Sequence, residues 1–436
     1  MPLKKIDYAK PVYIIDGCRT PFLKARGRPG PFKHADLAIN ASRALLQKMP
    51  FEADAFDEVI FGSAMPGSDE ANISRIVALR LGCGDKVPAY TVHRNCASGM
   101  QSLDNAALSI ADGRSDLILA GGIEAMSRAP LLFHDNMVNW LASWWGARSF
   151  SARVKVLSQI RPAYFAPVIA LLNGLKDPVA GLSMGQTAEK IAFRFCITRD
   201  MMDAYSVQSH QRLHQAQINN ELSEEVTPIF DSKGNLYDKD EGVREDSSVA
   251  KLGKLKPAFD KPFGAVTPGN SSQITDGAAS LVLASSDAVE KYDLPVLARL
   301  VTTHWAGLEP DEMGLGPAHA IAPLLRSRRL KVDSIDYWEI NEAFAAQVLA
   351  VVAALKDTSY CKEHIGLGSA IGEIDMDRLN IHGGGISLGH PVGASGARIV
   401  LHLAKVLRDK NAKRGIASLC IGGGQGGAML IERENV

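Results

Sequence analysis

Apolar and polar residues alternate along the first 126 residues in two rhythms, and each rhythm predicts a different element. Short apolar runs at Val12–Ile15 and Glu58–Gly62 predict β-strands, because such runs between turn residues are typical of buried strands. Between them, apolar residues recur at helical spacing over Leu37–Gln47, which predicts an amphipathic helix. Strands that alternate with helices in this way indicate an α/β layered domain.

A further strand–helix–strand unit surrounds Cys96. The segment 90–95 predicts a strand, and the small-residue turn Ala97–Gly99 begins a helix. The helix ends at Asp112–Gly113, and a buried strand is predicted at Leu117–Gly122. The apolar stripe of this helix consists of Met100, Leu103, Ala107 and Ile110.

The C-terminal part of the chain repeats this unit. The turn Gly393–Gly396 begins a helix, and the following strand ends in a double glycine at Leu419–Gly423. The same order of turn, helix, strand and double glycine predicts an internal duplication of an α/β unit. Two such halves packed together would bring Cys96, His390 and Cys420 to one central cleft. Chance similarity between two α/β units is the competing interpretation.

The alternation fades over residues 127–264, where turn-rich stretches such as Asp231–Asn235 replace it. This change predicts a large inserted loop domain. We therefore expect an N-terminal half of residues 1–126 plus 265–293, the insertion 127–264, and a C-terminal half of residues 294–436. A chain of 436 residues exceeds one ordinary core, which agrees with several domains.

Aromatic and basic residues concentrate in the segment 131–180 of the insertion. It holds Trp140, Trp144 and Trp145, three of the five tryptophans, and its basic residues outnumber its acidic ones. This combination is typical of a helix that contacts an anionic membrane surface or a partner. An ordinary packed helical subdomain fits the pattern equally well. We expect no membrane span, because no apolar run reaches about 18 residues.

Composition and charge narrow the class of protein. Lys and Arg together number 48, as do Asp and Glu, so no basic field favours nucleic acid as a partner. The six cysteines are scattered without the spacing of a disulfide scaffold or a metal site, which favours a reducing compartment. Residues 1–7 lack the apolar stretch of a signal peptide. We therefore expect a cytoplasmic protein without a metal site.

Cys96 is the strongest candidate for chemistry, because it lies between a predicted strand and a predicted helix. The positive end of a helix and its unpaired amides favour a thiolate, which is the nucleophile of covalent acyl transfer. For an isolated cysteine, a buried small hydrophobe is the simpler interpretation. His390 and Cys420, each in its own glycine-rich turn, favour the catalytic interpretation.

Four segments fall on predicted turns. They are Asn95–Met100, Asn341–Phe344, Gly383–Gly396 and Cys420–Gly427. Each glycine run alone is a weak signal. Together, and in this order, they resemble the motifs of the thiolases, the acetyl-CoA C-acyltransferases, and the resemblance covers essentially the whole chain. It implies a thiolase fold, in which duplicated α/β halves stack in five layers, α-β-α-β-α, with an inserted loop domain.

The resemblance also implies roles for residues of these segments. Cys96 would attack the 3-keto carbon of a 3-ketoacyl thioester and keep the acyl group, with His390 as its base. Cys420 would protonate the acetyl-CoA enolate, and Cys420 or His390 would then deprotonate free CoA. One oxyanion hole would consist of His390 and a water held by Asn341. The other would consist of the backbone amides of Cys96 and Gly422.

Substrate contacts are implied in the same way. Ser272 lies in a stretch similar to the loop that contacts the pantetheine arm of CoA, and Phe259 in one whose aromatic ring packs near CoA. Met184 and Phe344 would line the acyl tunnel. Ser183 stands where short-chain members often carry histidine, which disfavours an acetoacetyl-CoA specialist.

Simpler interpretations remain open for several residues. Asn341 could cap the following helix and Glu342 could interact with its dipole, since both residue types are favourable there. Cys420 could be a buried strand residue, and His382 is interpreted as structural. The charged, helix-like stretch Met201–His214 predicts a solvated face.

The activity that the resemblance implies is CoA-dependent cleavage of 3-ketoacyl-CoA to acetyl-CoA and a shortened acyl-CoA in fatty-acid β-oxidation. The insertion resembles that of the beta subunit of fatty-acid-oxidation trifunctional complexes, which pairs with a hydratase/3-hydroxyacyl-CoA dehydrogenase subunit. That subgroup often has histidine at the place of Asn341. The alternatives are a biosynthetic acetoacetyl-CoA thiolase and a non-catalytic acyl-CoA or lipid carrier. CoA would be a substrate, no cofactor is implied, and we expect a homodimer or homotetramer.

Overall fold

The computed structural model describes residues 8–434. The strands are β1 Val12–Arg19, β2 Leu23–Lys24, β3 Glu58–Gly62, β4 Ala89–Val92, β5 Leu117–Ala125, β6 Leu131–Phe133, β7 Pro167–Ile169, β8 Ile229–Phe230, β9 Leu236–Tyr237, β10 Thr275–Ala284, β11 Ala298–Gly307, β12 Tyr337–Ile340, β13 Arg414–Ile421 and β14 Gln425–Glu432. The helices are α1 His34–Leu46, α2 Ile73–Leu81, α3 Ser98–Ala111, α4 Asp135–Gly146, α5 Phe150–Leu157, α6 Ala170–Gly174, α7 Met184–Arg194, α8 Arg199–Ile218, α9 Val249–Leu252, α10 Ser286–Tyr292, α11 Gly316–Arg328, α12 Ala345–Lys356, α13 Thr358–Tyr360, α14 Gly385–Leu388 and α15 Val392–Asp409.

Ten strands form one continuous sheet in the order β12-β13-β14-β11-β1-β10-β5-β3-β4, with β2 paired to β10. Its two arms repeat each other. In one arm β3 is parallel to β5, and β5, β10 and β1 follow antiparallel to one another. In the other, β12 is parallel to β13, and β13, β14 and β11 follow antiparallel. The repeated order confirms the predicted duplication, and the arms join where Val12–Ile14 pairs with β11.

The two arms enclose a central helical layer of α3 and α15. Successive residues of a strand face opposite sides of the sheet. Ile60 of β3 therefore packs into the central core with α3 and α15, whereas Val59 and Phe61 pack against α1 outside. In the other arm, Leu419 faces the central core and Ile416 faces α11 and α12. The layers thus run α-β-α-β-α, and the predicted five-layered fold is confirmed.

Glycines allow the first turns of α3 and α15 to touch. A Cβ at Gly99 would lie 2.8 Å from the carbonyl oxygen of Gly393, and one at Gly396 would lie 2.5 Å from the amide nitrogen of Met100. Any side chain would force the helices apart at these distances. The contact therefore brings the segment that carries Cys96 against the segment that follows His390.

Helix α8 differs from the predicted solvated helix. It extends over the whole of Arg199–Ile218, and one side of it is buried, including Met202, Tyr205 and Leu213. The polar residues of this helix predicted a solvated face, but several of them are buried and form hydrogen bonds. Tyr205 Oη and Ser209 Oγ donate to the Glu342 carboxylate at 2.9 and 2.7 Å.

The tryptophan-rich part of the insertion folds as two short helices, α4 and α5. Trp140 and Trp144 stack with ring centroids 5.9 Å apart, and Trp140 Nε1 donates to the carbonyl of Val156 at 2.8 Å. Trp145 and Phe150, by contrast, are 78% and 85% exposed. In the described part of the chain, no helix combines the length and the hydropathy of a membrane span. The three predicted domain boundaries stay a prediction.

Candidate active site

Cys96 lies in a tight turn between β4 and α3. Asn95 adopts the left-handed backbone region, with φ of 44°, which short polar side chains tolerate. The amide of Ala97 donates to Arg94 O at 2.9 Å, and the amide of Ser98 donates to Asn95 O at 3.1 Å. The hydroxyl of Ser98 also accepts from the amide of Arg94 at 2.9 Å. These bonds hold Cys96, half-buried, at the N-terminus of α3.

The second half of the molecule completes this turn. Asn95 Nδ2 donates to the carbonyl of Gly422 at 2.8 Å. Burial raises the pKa of the Cys96 thiol, and hydrogen bonds from the amides of Gly422 and of Cys96 itself offset only part of that rise. The amides therefore favour a thiolate, as predicted, but burial leaves the thiol as the resting form. Desolvation disfavours the charged sulfur more than the local amides favour it.

His390 is buried between the two halves, with a partner for each ring nitrogen. Ser395 Oγ lies 2.6 Å from Nδ1 and 3.1 Å from the carbonyl of Pro391, to which it donates. We therefore assign the ring proton to Nδ1, as the donor to Ser395. Nε2 is then the acceptor, and Asn341 Nδ2 faces it at 3.4 Å. The amide of His390 donates to Gln273 O at 2.9 Å, which anchors the turn.

Burial sets the protonation states of the two other reactive groups. Burial, together with the nearby Arg398 guanidinium, lowers the pKa of His390 to about 4. Burial raises the pKa of Cys420, and the nearby Cys96 raises it further. At neutral pH His390 is thus a neutral base, and both cysteines are thiols. Cys420 lies near the end of β13, opposite Gly426 of β14.

Asn341 follows β12 and does not cap a helix. The residue that precedes α12 is Phe344, and no side chain caps that helix. The amide of Asn341 donates to Ser418 O at 2.9 Å. Its Oδ1 is buried without a hydrogen-bond partner in residues 8–434, so it can accept a bond from a water or a substrate. Glu342 is not a helix-dipole residue either: its carboxylate accepts from Tyr205, Ser209, Asn380 and Ile386.

The residues predicted to contact substrate form one apolar cluster, with Ser272 beside it. Phe259 and Phe344 meet edge to face at 6.0 Å, and both belong to the cluster that contains Met184. Met184 Sδ would lie 3.6 Å from a Cβ on Gly422, which places Met184 closest to the nucleophile turn. The amide of Ser272 donates to the carbonyl of the residue before Phe344 at 2.9 Å.

A cavity of about 470 Å³ opens at Cys96. Of the predicted site residues, Cys96, Met184 and Gly422 line it, whereas His390, Cys420, Asn341, Ser272, Phe259 and Phe344 do not. Asn95, Val392 and Gly423, which belong to the predicted motif segments, line it as well. The lining residues that sequence reasoning missed are Ala64, Met65, His93, Asn173, Gly174, Leu175, Lys176, Asp177, Pro178, Val179 and Pro310. Most of these come from distant loops, so the sequence carried no signal for them.

Ser395 was also missed, although a signal for it existed. A serine one turn into a helix that begins beside a histidine can reach back to the histidine ring.

Across the described ranges, no group of three His, Cys, Asp or Glu residues could hold a metal ion. The arrangement therefore consists of two thiols, one neutral imidazole, an amide side chain and convergent backbone amides, which can support acyl transfer.

The chain is similar over its whole length to known thiolases. Its sequence matches the family "Thiolase, N-terminal domain" over residues 12–287 and "Thiolase, C-terminal domain" over residues 294–433. The mouse mitochondrial trifunctional enzyme subunit beta is 33% identical over 97% of this chain and 88% of its own length. The beta-ketoadipyl-CoA thiolase of Pseudomonas aeruginosa is 37% identical over 98% of this chain and 100% of its own.

A solved structure agrees with these relatives. The crystal structure of human mitochondrial 3-ketoacyl-CoA thiolase in complex with CoA superimposes with a TM-score of 0.84 at 33% identity, and it covers 98% of this chain and 99% of the human one. Both the sequence and the five-layered architecture therefore lead to one conclusion: this chain belongs to the thiolase family and is an acyltransferase of the acetyl-CoA acyltransferase type.

Proposed function

We propose that this thiolase cleaves 3-ketoacyl-CoA with free CoA, giving acetyl-CoA and a shortened acyl-CoA in fatty-acid β-oxidation. The observation that carries the proposal is the convergence of Cys96, the Gly422 turn and Cys420 at one place: Asn95 beside Cys96 donates to the carbonyl of Gly422 at 2.8 Å, the Gly422 amide lowers the pKa of Cys96, and Cys96 in turn raises the pKa of Cys420. A neutral His390 supplies the base that a protonated Cys96 requires.

In the first half-reaction, Nε2 of His390 takes the Cys96 proton while the sulfur bonds to the 3-keto carbon. The amides of Cys96 and Gly422 stabilise the resulting oxyanion. The bond between carbons 2 and 3 then breaks, and its electron pair forms the acetyl-CoA enolate, whose oxygen accepts from protonated His390 and from a water on Asn341. Cys420, kept as a thiol by burial, donates the proton to carbon 2. The shortened acyl group remains as a thioester on Cys96.

In the second half-reaction, the Cys420 thiolate takes the proton of the CoA thiol, and the CoA sulfur attacks the acyl thioester. The same amides stabilise the second oxyanion. Cys96 leaves as a thiolate and recovers its proton from protonated His390. Every group returns to its starting state, so the cycle balances without a cofactor, and CoA acts as a substrate.

The test also includes two other candidate activities, cleavage of a 3-ketoacyl-CoA with a terminal carboxylate and acetoacetyl-CoA synthesis. Lys176 lines the cavity at Cys96, and a cation there could pair with a terminal carboxylate on the acyl chain. The similarity to beta-ketoadipyl-CoA thiolases agrees with that second candidate. The third candidate is a biosynthetic acetoacetyl-CoA thiolase, because the same residues would catalyse the condensation of two acetyl-CoA molecules.

We further propose that the protein is a homo-oligomer in the cytoplasm and that the segment 131–180 contacts an anionic membrane surface. All six cysteines are free thiols, which agrees with a reducing compartment. A hydratase/3-hydroxyacyl-CoA dehydrogenase subunit is the partner that the mouse relative suggests. Co-purification of such a subunit with the tagged protein tests that partnership, and its absence from native extracts would remove it.

The deciding experiment is CoA-dependent cleavage of a 3-ketoacyl-CoA series from four to sixteen carbons, with 3-ketoadipyl-CoA added. Cys96→Ala is the test variant, and Cys196→Ala, which removes an exposed thiol, is the matched control. We expect rates to rise with chain length, with loss in the first variant only. Activity confined to four carbons indicates the acetoacetyl-CoA enzyme, and preference for the dicarboxylate indicates the second candidate. CoA binding without cleavage would leave only a carrier.

A further inference from the structure

The buried carboxylate of Glu124, at the end of β5, ties two segments of the candidate site together. Its Oε2 accepts from the amides of Ala64 at 2.8 Å and Gly393 at 3.0 Å. Its Oε1 accepts from the amide of Met65 at 3.1 Å and from Ser63 Oγ at 3.3 Å. Every donor comes from outside β5, so this one side chain holds the loop after β3 against the start of α15.

Both segments bear directly on the reaction proposed above. Ala64 and Met65 line the cavity that opens at Cys96. Gly393 lies in the first turn of α15, three residues after His390. The carboxylate therefore connects the wall around the nucleophile in one half of the molecule with the histidine turn of the other half.

His34 lies on the far side of Glu124 and carries a positive charge. Its Nε2 is 3.3 Å from Glu124 Oε1, its Nδ1 is 3.2 Å from Glu70 Oε2, and the side chain is 1% exposed. Burial disfavours its charge, but the two carboxylates outweigh burial and raise the pKa of His34 to about 9. The other charged groups that act on His34 are Asp69 and Asp276, and Glu124 in turn acts on the neutral Cys96 thiol.

We propose that Glu124 is a positioning residue for the thiolase reaction, whose carboxylate holds the cavity wall at Cys96 against the turn of His390 and whose negative charge, balanced in part by His34, adds to burial in disfavouring a thiolate at Cys96 before substrate binds. The inference rests on the proposed function. A resting thiol suits that mechanism, because His390 removes the proton only when the sulfur bonds to substrate. It also limits side reactions, since the thiolate is the form that alkylating and oxidising agents attack.

Glu124→Gln separates this role from simple structural support. The amide group must face backbone donors in either orientation, because both carboxylate oxygens accept from backbone amides. We expect kcat to fall at least tenfold, as for a buried hydrogen bond left unmade. With one negative charge removed, alkylation of Cys96 by iodoacetamide at pH 7 should instead accelerate severalfold, because the neighbouring carboxylate no longer disfavours the thiolate.

His34→Gln changes the charge in the opposite sense. It leaves the carboxylate of Glu124 and its backbone bonds in place but removes the positive charge beside it, so alkylation of Cys96 should slow while kcat falls less than in Glu124→Gln. Asp69→Asn is the matched control. Its side chain is 62% exposed and pairs with Lys33, and we expect both alkylation and turnover to stay at wild-type values.

Each outcome of these measurements either supports or overturns the proposed role of Glu124. Faster alkylation with slower turnover in Glu124→Gln, and slower alkylation in His34→Gln, support the proposal. Unchanged or slower alkylation in Glu124→Gln overturns it, as does an equal effect of Asp69→Asn. If Glu124→Gln fails to fold, as judged by circular dichroism, the direction of the His34→Gln effect decides. Should the wild-type protein cleave no 3-ketoacyl-CoA, the function fails, but the alkylation rates still test the electrostatic part.

Discussion

At the scale of single residues, burial rather than helix position decides which groups carry protons. Cys96 has the helix terminus and the amides that favour a thiolate, yet desolvation keeps it protonated. His390 is neutral for the same reason. The candidate chemistry therefore starts from a thiol and a neutral imidazole, in contrast to the ion pair of a preformed thiolate, and proton transfer must accompany the attack on substrate.

This state predicts the acid limb of the pH–rate profile. His390 acts as a base only when neutral, and its pKa is lowered to about 4 in the folded protein. We expect kcat/KM for thiolysis to stay level as the pH falls through 6.5 and to decline only near pH 4. Because unfolded histidine binds its proton near pH 6.5, stability also decreases as the pH falls through that window.

The measurement is a steady-state profile with circular dichroism recorded at each pH, so that unfolding is separated from titration. An acid limb between pH 6 and 7 in protein that is still folded would contradict the assigned state of His390. The types of the catalytic residues were predictable from the sequence, because Cys96, His390 and Cys420 each lie in a turn rich in small residues. Their protonation states were not, because burial depends on both halves of the molecule.

At the scale of elements, α4 and α5 divide the tryptophan-rich segment into an inner and an outer side. Trp140 and Trp144 stack and pack against α5, as in an ordinary subdomain. Trp145 and Phe150 remain exposed, and so do Leu131, Phe133, Phe165 and Leu172 of the neighbouring elements. Sequence spacing could not separate these two sides, because aromatic residues lie on both.

The outer side predicts binding to anionic vesicles. Burying one aromatic side chain in a membrane interface contributes about 1.5–3 kcal/mol, so Trp145→Ser with Phe150→Ser should weaken flotation with phosphatidylserine vesicles at least tenfold. Phe193→Ser is the control, because Phe193 is 89% exposed but lies on α7. Equal flotation of the double variant and the wild type would remove the membrane proposal and leave a protein partner.

At the scale of the whole molecule, the repeated halves explain why the sequence predicted the layered architecture. It did not predict how the two arms of the sheet pair with each other. The turn, helix, strand and double glycine are local signals, and they appeared twice. The pairing of Val12–Ile14 with β11, which joins the arms, depends on residues almost 290 positions apart. The cavity wall from the insertion depends on contacts of the same long range, and no local pattern encodes them.

The sheet also predicts how two copies associate. Strand β4 ends the sheet, and within the described residues no strand covers its outer side. Tyr90 and Leu108 are exposed beside it, and Gln101 Oε1 is buried without a partner in this part of the chain. An open edge of this kind pairs readily with another strand. We expect a dimer in which β4 pairs with β4 of a second copy.

Tyr90→Glu with Leu108→Glu should convert that dimer to a monomer, because the introduced carboxylates would be buried facing each other. Light scattering after size exclusion measures the mass, and Ile218→Glu, at an exposed position of α8, is the control. A wild-type monomer, or a variant that stays dimeric, would contradict the proposed edge pairing.

The hydrogen bond from Asn95 to Gly422 has a consequence for ancestry. The proposed nucleophile belongs to one repeat, whereas the glycine turn that completes its surroundings, and the second thiol, belong to the other. A primordial chain with a single repeat could have assembled this chemistry only as a symmetric pair, with the turn before the helix of one copy facing the double-glycine turn of the other. Fusion of the two genes would then have freed each copy to specialise, one towards attack on the substrate and the other towards proton transfer.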